Sequence, residues 1–198
     1  MNFRGDSAEY NVFADCIKLL NNPVGHTVEI GVREGLGSKC IIDAFRTNHK
    51  EVKLFHLGID PYGQIPYKTS ESRILNTTDY SNSMKRNTLI EFCKYYPEFT
   101  LVQLEDFEFF KSFSDGYPVY DQQKKYINSY DLVHFDGPHD NKSVKEATDF
   151  FNERKASECI FVYDDINNYD HSYIDQYVLG LGFQKVFSGK RKASYLYK

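Results

Sequence analysis

The chain has 198 residues, 41% hydrophobic and 26% charged, with four cysteines and a net charge of −4. That length sets one domain over residues 1–198 with a core of ordinary size, and the acidic balance argues against a general electrostatic grip on nucleic acid. No apolar run is long enough for a membrane, "MNFRGDSAEY" lacks a leader pattern, and Cys16, Cys40, Cys93 and Cys159 lack zinc or redox spacing, so a soluble cytoplasmic protein with free thiols is expected.

In chain order, Asp6 or Ser7 can cap a first helix whose Ala8, Val12, Cys16, Leu19 and Leu20 recur at helical spacing until "NNP" stops it. "HTVEIGV" then reads as a strand and "GSKCIIDAFRTNH" as the helix that follows. "VKLFHLGID", "FTLVQL", "YDLVHFD" and "CIFVYDD" are four more short apolar runs, each ending in polar or acidic residues. Strands buried on both faces of a parallel sheet have this look. Helices are expected near residues 81–95, 106–113, 141–155 and 172–180, and "GFQKVFSGKRKASYLYK" reads as a closing hairpin. Lys185, Lys190, Arg191, Lys192 and Lys198 read as its solvated surface. The pattern is an α/β open sheet with an antiparallel end. Ligands bind such sheets beyond the carboxyl ends of the strands, where strand order reverses.

Between the first strand and its helix, "VEIGVREGLGS" spaces Gly31, Gly35 and Gly37 as G-x-x-x-G-x-G, with Ser38 opening the helix. Glycines there let the backbone bend tightly and lie against a ligand. The spacing is not that of a dinucleotide loop, and Glu29 would repel a pyrophosphate but can hold an ammonium group. Asp60, closing the next strand in "GIDPY", can accept both hydroxyls of a ribose. The ligand suggested is nucleoside-like, positively charged and without phosphate. The alternative is a plain strand-to-helix turn.

"VEIGVREGLGS" with "GIDPY" resembles the cofactor-binding half of class I S-adenosylmethionine-dependent methyltransferases, and the likeness extends over nearly the whole chain. It implies a Rossmann-like, mostly parallel seven-stranded sheet with helices on both faces and an antiparallel C-terminal strand. It also implies that Glu29 serves the amino-acid end of S-adenosylmethionine, that the glycine loop passes beneath it, that Asp60 binds ribose, and that Asp106 or its neighbour Glu105 lies near the adenine.

Asp136 in "YDLVHFDGPHD" and Asp164 with Asp165 in "CIFVYDDINN" end two further strands, so three carboxylates should meet beside the cofactor. A hard divalent cation such as Mg²⁺ would relieve their repulsion; the alternative is that they cap the helices that follow. His139, three residues after Asp136, can take a proton from an acceptor hydroxyl, or can be a loop anchor bonded to a carboxylate. His134 reads as a core residue, and His26, His49, His56 and His171 carry no assigned role.

"DGPH" and "YDDIN" together resemble the metal-dependent O-methyltransferases related to macrocin O-methyltransferase, which act on macrolide sugars. The resemblance implies Asp136, Asp164 and Asp165 as metal ligands, Asp136 beside the cofactor as well, and His139 as the base. The chain departs from it in Pro138 and in having little before its first helix. The expected partner is a small-molecule hydroxyl acceptor, with no nucleic acid and no membrane, and a second copy of the chain as a further candidate. Two other readings stay open: a metal-independent methyltransferase with an N or O acceptor, and a non-catalytic partner protein on the same fold. Residues 112–130 and 61–80 are candidates for the acceptor-side wall or lid, or are ordinary surface loops.

Overall fold

In a computed structural model, residues 3–65, 67–68, 74–75 and 80–198 are described. Parts of the expected wall at 61–80, namely residues 66, 69–73 and 76–79, lie outside them. The chain runs α1 (Asn11–Ile17), β1 (His26–Ile30), α2 (Leu36–Asn48), β2 (Phe55–Ile59), β3 (Tyr67–Lys68), β4 (Ile74–Leu75), α3 (Asn82–Tyr95), β5 (Phe99–Val102) and α4 (Asp106–Ser112). It continues through β6 (Tyr117–Asp121), β7 (Gln123–Ile127), β8 (Tyr130–Phe135), α5 (Asn141–Asn152), β9 (Lys155–Tyr163), α6 (His171–Gly180), β10 (Gln184–Ser188) and β11 (Ala193–Tyr197).

Seven strands form one sheet in the order β10-β11-β9-β8-β1-β2-β5. The five apolar runs pair in parallel, and β11 inserts antiparallel between β9 and β10. This is the expected seven-stranded α/β sheet with its antiparallel end. Side chains alternate across it: Val28, Ile30, Val133 and Phe135 face one core with α4, α5 and α6, whereas Leu132, Ile160 and Val162 face the other with α1, α2 and α3. Because β1 lies between β2 and β8, strand order reverses at the β1–β8 junction, and the crevice there opens toward Gly31 and Asp136.

Two expectations about connections are corrected. The first helix starts at Asn11 after Tyr10, with no side-chain cap, because Asp6 and Ser7 are engaged elsewhere: Asp6 pairs with Arg33 at 3.2 Å and Ser7 donates to Asp164 at 2.8 Å. Residues 112–130 do not wall the catalytic edge. They leave the C-terminus of α4 and enter the N-terminus of β8, so the β6–β7 hairpin falls at the opposite edge of the sheet, where Asp121 meets Lys53 at 2.5 Å. The four cysteines are free thiols. Among the described residues no helix is long and apolar enough to cross a membrane.

Candidate active site

A cavity of about 360 Å³ opens at the carboxyl ends of the parallel strands. Ile30 and Gly31 line it after β1, Ile59 and Pro61 after β2, Asp106 and Phe107 at the start of α4, and Gly137 and Pro138 after β8. A larger hollow of about 490 Å³, walled by Arg46, His49 and Tyr120, lies at the other edge of the sheet, away from every strand end expected to do chemistry. The smaller cavity is the candidate site, because it sits at the reversal of strand order.

Asp106 faces this cavity, and burial pushes its carboxyl up to about 6, with Glu105 and Glu146 adding to the rise and the Phe107 amide opposing it. Glu105 is instead consumed as the N-cap of α4, trading hydrogen bonds with Glu108 in a capping box. Both acids line the cavity; Asp106 accepts the Phe107 amide on Oδ1 at 2.8 Å.

The three glycines fit tightly against the protein itself. Gly31 has φ +84°, and a Cβ there would overlap the Asp136 carbonyl of the neighbouring strand. A Cβ on Gly37 would strike the Glu29 carboxylate, whose Oε2 accepts from Ser38 and whose Oε1 pairs with Nδ1 of His134 at 2.8 Å. Glu29 thus anchors the first turn of α2 and is 1% exposed. Asp60 is likewise sealed: Oδ2 accepts the amides of Val32 and Arg33 and Oδ1 that of Tyr62, each at 2.9 Å. Burial raises its pKa, and these three amides work against the rise. Asp60 ties the glycine loop to the end of β2. The expected direct roles, ribose for Asp60 and ammonium for Glu29, meet carboxylates already in use.

The three aspartates expected to share a metal are divided. Asp164, 1% exposed, accepts from Lys192 Nζ, from Ser7 and from the Asp165 amide. Burial alone would raise its pKa, but His134 and Lys192 override this and hold it at about 2. Asp165, in left-handed backbone at φ 47°, is clamped by Arg191, whose Nε lies 2.7 Å from Oδ1. Burial, with Asp164 and Glu29 nearby, pushes the Asp136 carboxyl well above the usual range, and Lys192 works against the rise.

Among the described residues, the group of three metal-capable side chains with ligand atoms within 4.8 Å of one another is Glu29, His134 and Asp136. Both Glu29 oxygens are bonded to neighbours, and His134 offers Nδ1 to Glu29 and Nε2 to Lys192 at 3.3 Å. Neither set of residues fits a divalent cation as it stands, since protein cations and hydrogen bonds take the positions a metal would need.

The sequence matches the family described as a methyltransferase domain over residues 28–166, well over half the chain. The chain belongs to that methyltransferase family. Solved structures with the same fold include the O-methyltransferase NovP, at 12% identity and TM-score 0.66, covering 96% of this chain and 79% of NovP. CalS11, a calicheamicin methyltransferase, aligns at 14% identity and TM-score 0.60, over 94% and 76% of the two chains. TomG from Streptomyces achromogenes aligns at 9% identity and TM-score 0.55, over 94% and 77%. No curated protein matches the sequence.

In this methyltransferase His139 follows Gly137 and Pro138 of the cavity wall, with Nε2 3.5 Å from Asp165 Oδ2. Its ring lies parallel to that of Tyr169, centroids 6.4 Å apart. Burial lowers its pKa, opposed by Asp165 and Asp164, so the imidazole is neutral at neutral pH and able to accept a proton. Asp140 caps α5 through the amides of Lys142 and Ser143.

Sequence reasoning missed Lys192 and Arg191, whereas His134 is the buried, hydrogen-bonded core residue expected. Lys192 is fully buried and Arg191 clamps Asp165, so the basic run is not all solvated surface. The signal was the antiparallel register: Ala193 lies opposite Tyr163, and continuing it sets Lys192 against Asp164 and Arg191 against Asp165.

The sealing of Asp60 gives a stability prediction. Asp60→Ala leaves three amides without their acceptor, at about 1–3 kcal/mol for each buried donor orphaned, and a chain of this size loses about 2–4 °C of melting temperature per kcal/mol. A thermal melt lowered by at least about 6 °C is expected. An unchanged melt combined with lost S-adenosylhomocysteine affinity would return Asp60 to a direct ribose contact.

Proposed function

We propose that this methyltransferase moves the methyl group of S-adenosylmethionine to a hydroxyl of a small molecule, a sugar or glycosylated product, with His139 as proton acceptor. The observation that carries this reading is the His139–Asp165 contact, an imidazole beside a carboxylate one residue beyond the Gly137–Pro138 wall of the cavity. The sulfonium already activates the methyl group, so the protein's task is to hold an oxygen in line with it and accept its proton. The oxygen–carbon bond forms as the carbon–sulfur bond breaks, S-adenosylhomocysteine leaves, and the hydroxyl proton passes to the imidazole. With Nε2 on the side of Asp165, Nδ1 is the nitrogen assigned to receive that proton.

The 360 Å³ cavity takes the adenosine half, with Asp106 accepting from the adenine amino group. A sugar acceptor draws support from CalS11, a TDP-rhamnose 3'-O-methyltransferase of the same fold. No step of this reading passes through a divalent cation, because Asp164 and Asp165 are already paired with Lys192 and Arg191.

The test is release of S-adenosylhomocysteine across a panel of sugars, nucleotide sugars, catechols and glycosylated natural products. Turnover confined to amine acceptors would overturn the hydroxyl assignment, and failure to bind S-adenosylhomocysteine in calorimetry would overturn the cofactor. That calorimetry also checks Asp106. If its carboxylate must be ionised to accept the adenine amino group, wild-type affinity falls as pH drops through about 6, by up to tenfold per pH unit. Asp106→Asn binds more weakly at neutral pH and loses that dependence.

A further inference from the structure

We propose that Lys192 is the built-in cation of the catalytic edge, so that methyl transfer by this chain, as read above, needs no divalent metal. The argument starts from the hairpin. Glu9, at φ 62°, accepts the amides of Lys190, Arg191 and Lys192 at 2.8, 3.1 and 3.0 Å, which fixes the chain as it enters β11. Successive residues then point to opposite sides of the sheet. Arg191 turns outward to Asp165, and Lys192 turns inward to Asp164.

Lys192 is 0% exposed, with its ammonium 5.2 Å from the Tyr10 ring centroid and 5.8 Å from that of Phe13. It donates to Asp164 Oδ2 and to His134 Nε2, and the opposite nitrogen of His134 donates to Glu29. From Glu29 the chain of bonds runs on through Ser38 and His56 to Thr27. One ammonium therefore faces the junction where Asp164, Glu29 and Asp136 converge, and it is joined by hydrogen bonds to the start of α2 that shapes the cofactor crevice.

Three carboxylates brought this close must take up a proton or be met by positive charge. A divalent ion and a lysine ammonium are two ways to supply it, and here the second is part of the chain. An ammonium at this position also excludes a metal by repulsion and by occupying Asp164. Lys192 is thus a positioning residue: it holds Asp164, and through His134 holds Glu29, without touching the acceptor.

The experiment uses the full chain and Mn²⁺ as probe, read by electron paramagnetic resonance. Wild-type protein is expected to show no saturable Mn²⁺ binding at millimolar concentration. Lys192→Met, which keeps the bulk and removes the charge, should acquire a Mn²⁺ site that Asp164→Asn then abolishes. Saturable binding to the wild type that Asp164→Asn removes would overturn the proposal, as would a folded Lys192→Met that binds no Mn²⁺.

Loss of one partner of a buried ion pair can unfold the chain, whereas exchanging both for apolar residues often restores stability. The double variant Lys192→Met/Asp164→Leu therefore separates structure from function. If the pair acts at the catalytic edge, this variant melts near the wild-type temperature but turns over at least tenfold more slowly. Wild-type turnover in both variant and wild type would mean that the pair is only structural, and the proposal fails. On a verified acceptor, wild-type turnover should be unchanged by EDTA, and its loss there overturns the proposal. If no acceptor is methylated and S-adenosylhomocysteine does not bind, the methyl-transfer reading has failed, and the Mn²⁺ titrations still decide the role of Lys192.

Discussion

Replacing His139 by alanine lowers turnover by roughly 10²-fold to 10⁴-fold, the usual worth of a positioned proton acceptor, and leaves S-adenosylhomocysteine affinity nearly unchanged. The imidazole contributes as a base only when neutral, and burial lowers its pKa from the ordinary histidine value. Wild-type turnover is therefore level through neutral pH and falls on acidification below the ordinary histidine range. The variant loses that inflection, and raising the pH partly restores it, because hydroxide removes the proton that the imidazole no longer takes. Asp165→Asn keeps His139 in place but weakens its orientation, so it falls between wild type and His139→Ala. Single-turnover rates across pH, with cofactor affinity measured separately, give the comparison. An unchanged rate in His139→Ala would remove it from the mechanism, and lost cofactor affinity without pH rescue would make it a loop anchor.

A large effect on stability is also expected at Gly31. Its φ of +84° lies in the left-handed region, and a Cβ would drive into the Asp136 carbonyl, which is backbone and cannot turn away. Both neighbouring ladders end at this point: the Gly31 amide donates to Ile59 O at 2.9 Å, and the Asp136 amide donates to Ile30 O at 2.9 Å. Backbone strain and overpacking each cost about 1–3 kcal/mol, so Gly31→Ala should lose about 2–6 kcal/mol, or about 4–24 °C of melting temperature. Gly63→Ala is the control. Gly63 has φ +78° with nothing within 4 Å of a Cβ, so it carries the conformational cost alone, about 1–2 kcal/mol. Equal melting temperatures for the two variants would show that the β1–β8 junction tolerates separation, contrary to the packing described.

Residues whose role depends on local pattern were legible in the sequence. Five apolar runs, each closed by a polar or acidic residue, determined the parallel strands, and the Gly-containing turn near the C-terminus determined the antiparallel pair. Strand-end position alone carried Asp106, Asp136 and His139 to the same edge of the sheet. The limits appear where one side chain's role depends on a partner distant in sequence. Asp60 and Glu29 are strand-end acids like the others, but whether a carboxylate faces a cavity or accepts amides from its own loop depends on how β1, β2 and α2 pack. The same holds for "KRK": nothing local distinguishes a solvated lysine from one buried 28 residues away from its carboxylate partner in the chain. Composition and periodicity fixed the strands because burial on both faces of a sheet is a short-range constraint on residue type. Only the tertiary structure decided which acids are free and which are paired, because the charge facing Asp164 arrives through the register of β11 against β9, a contact that no window of sequence contains.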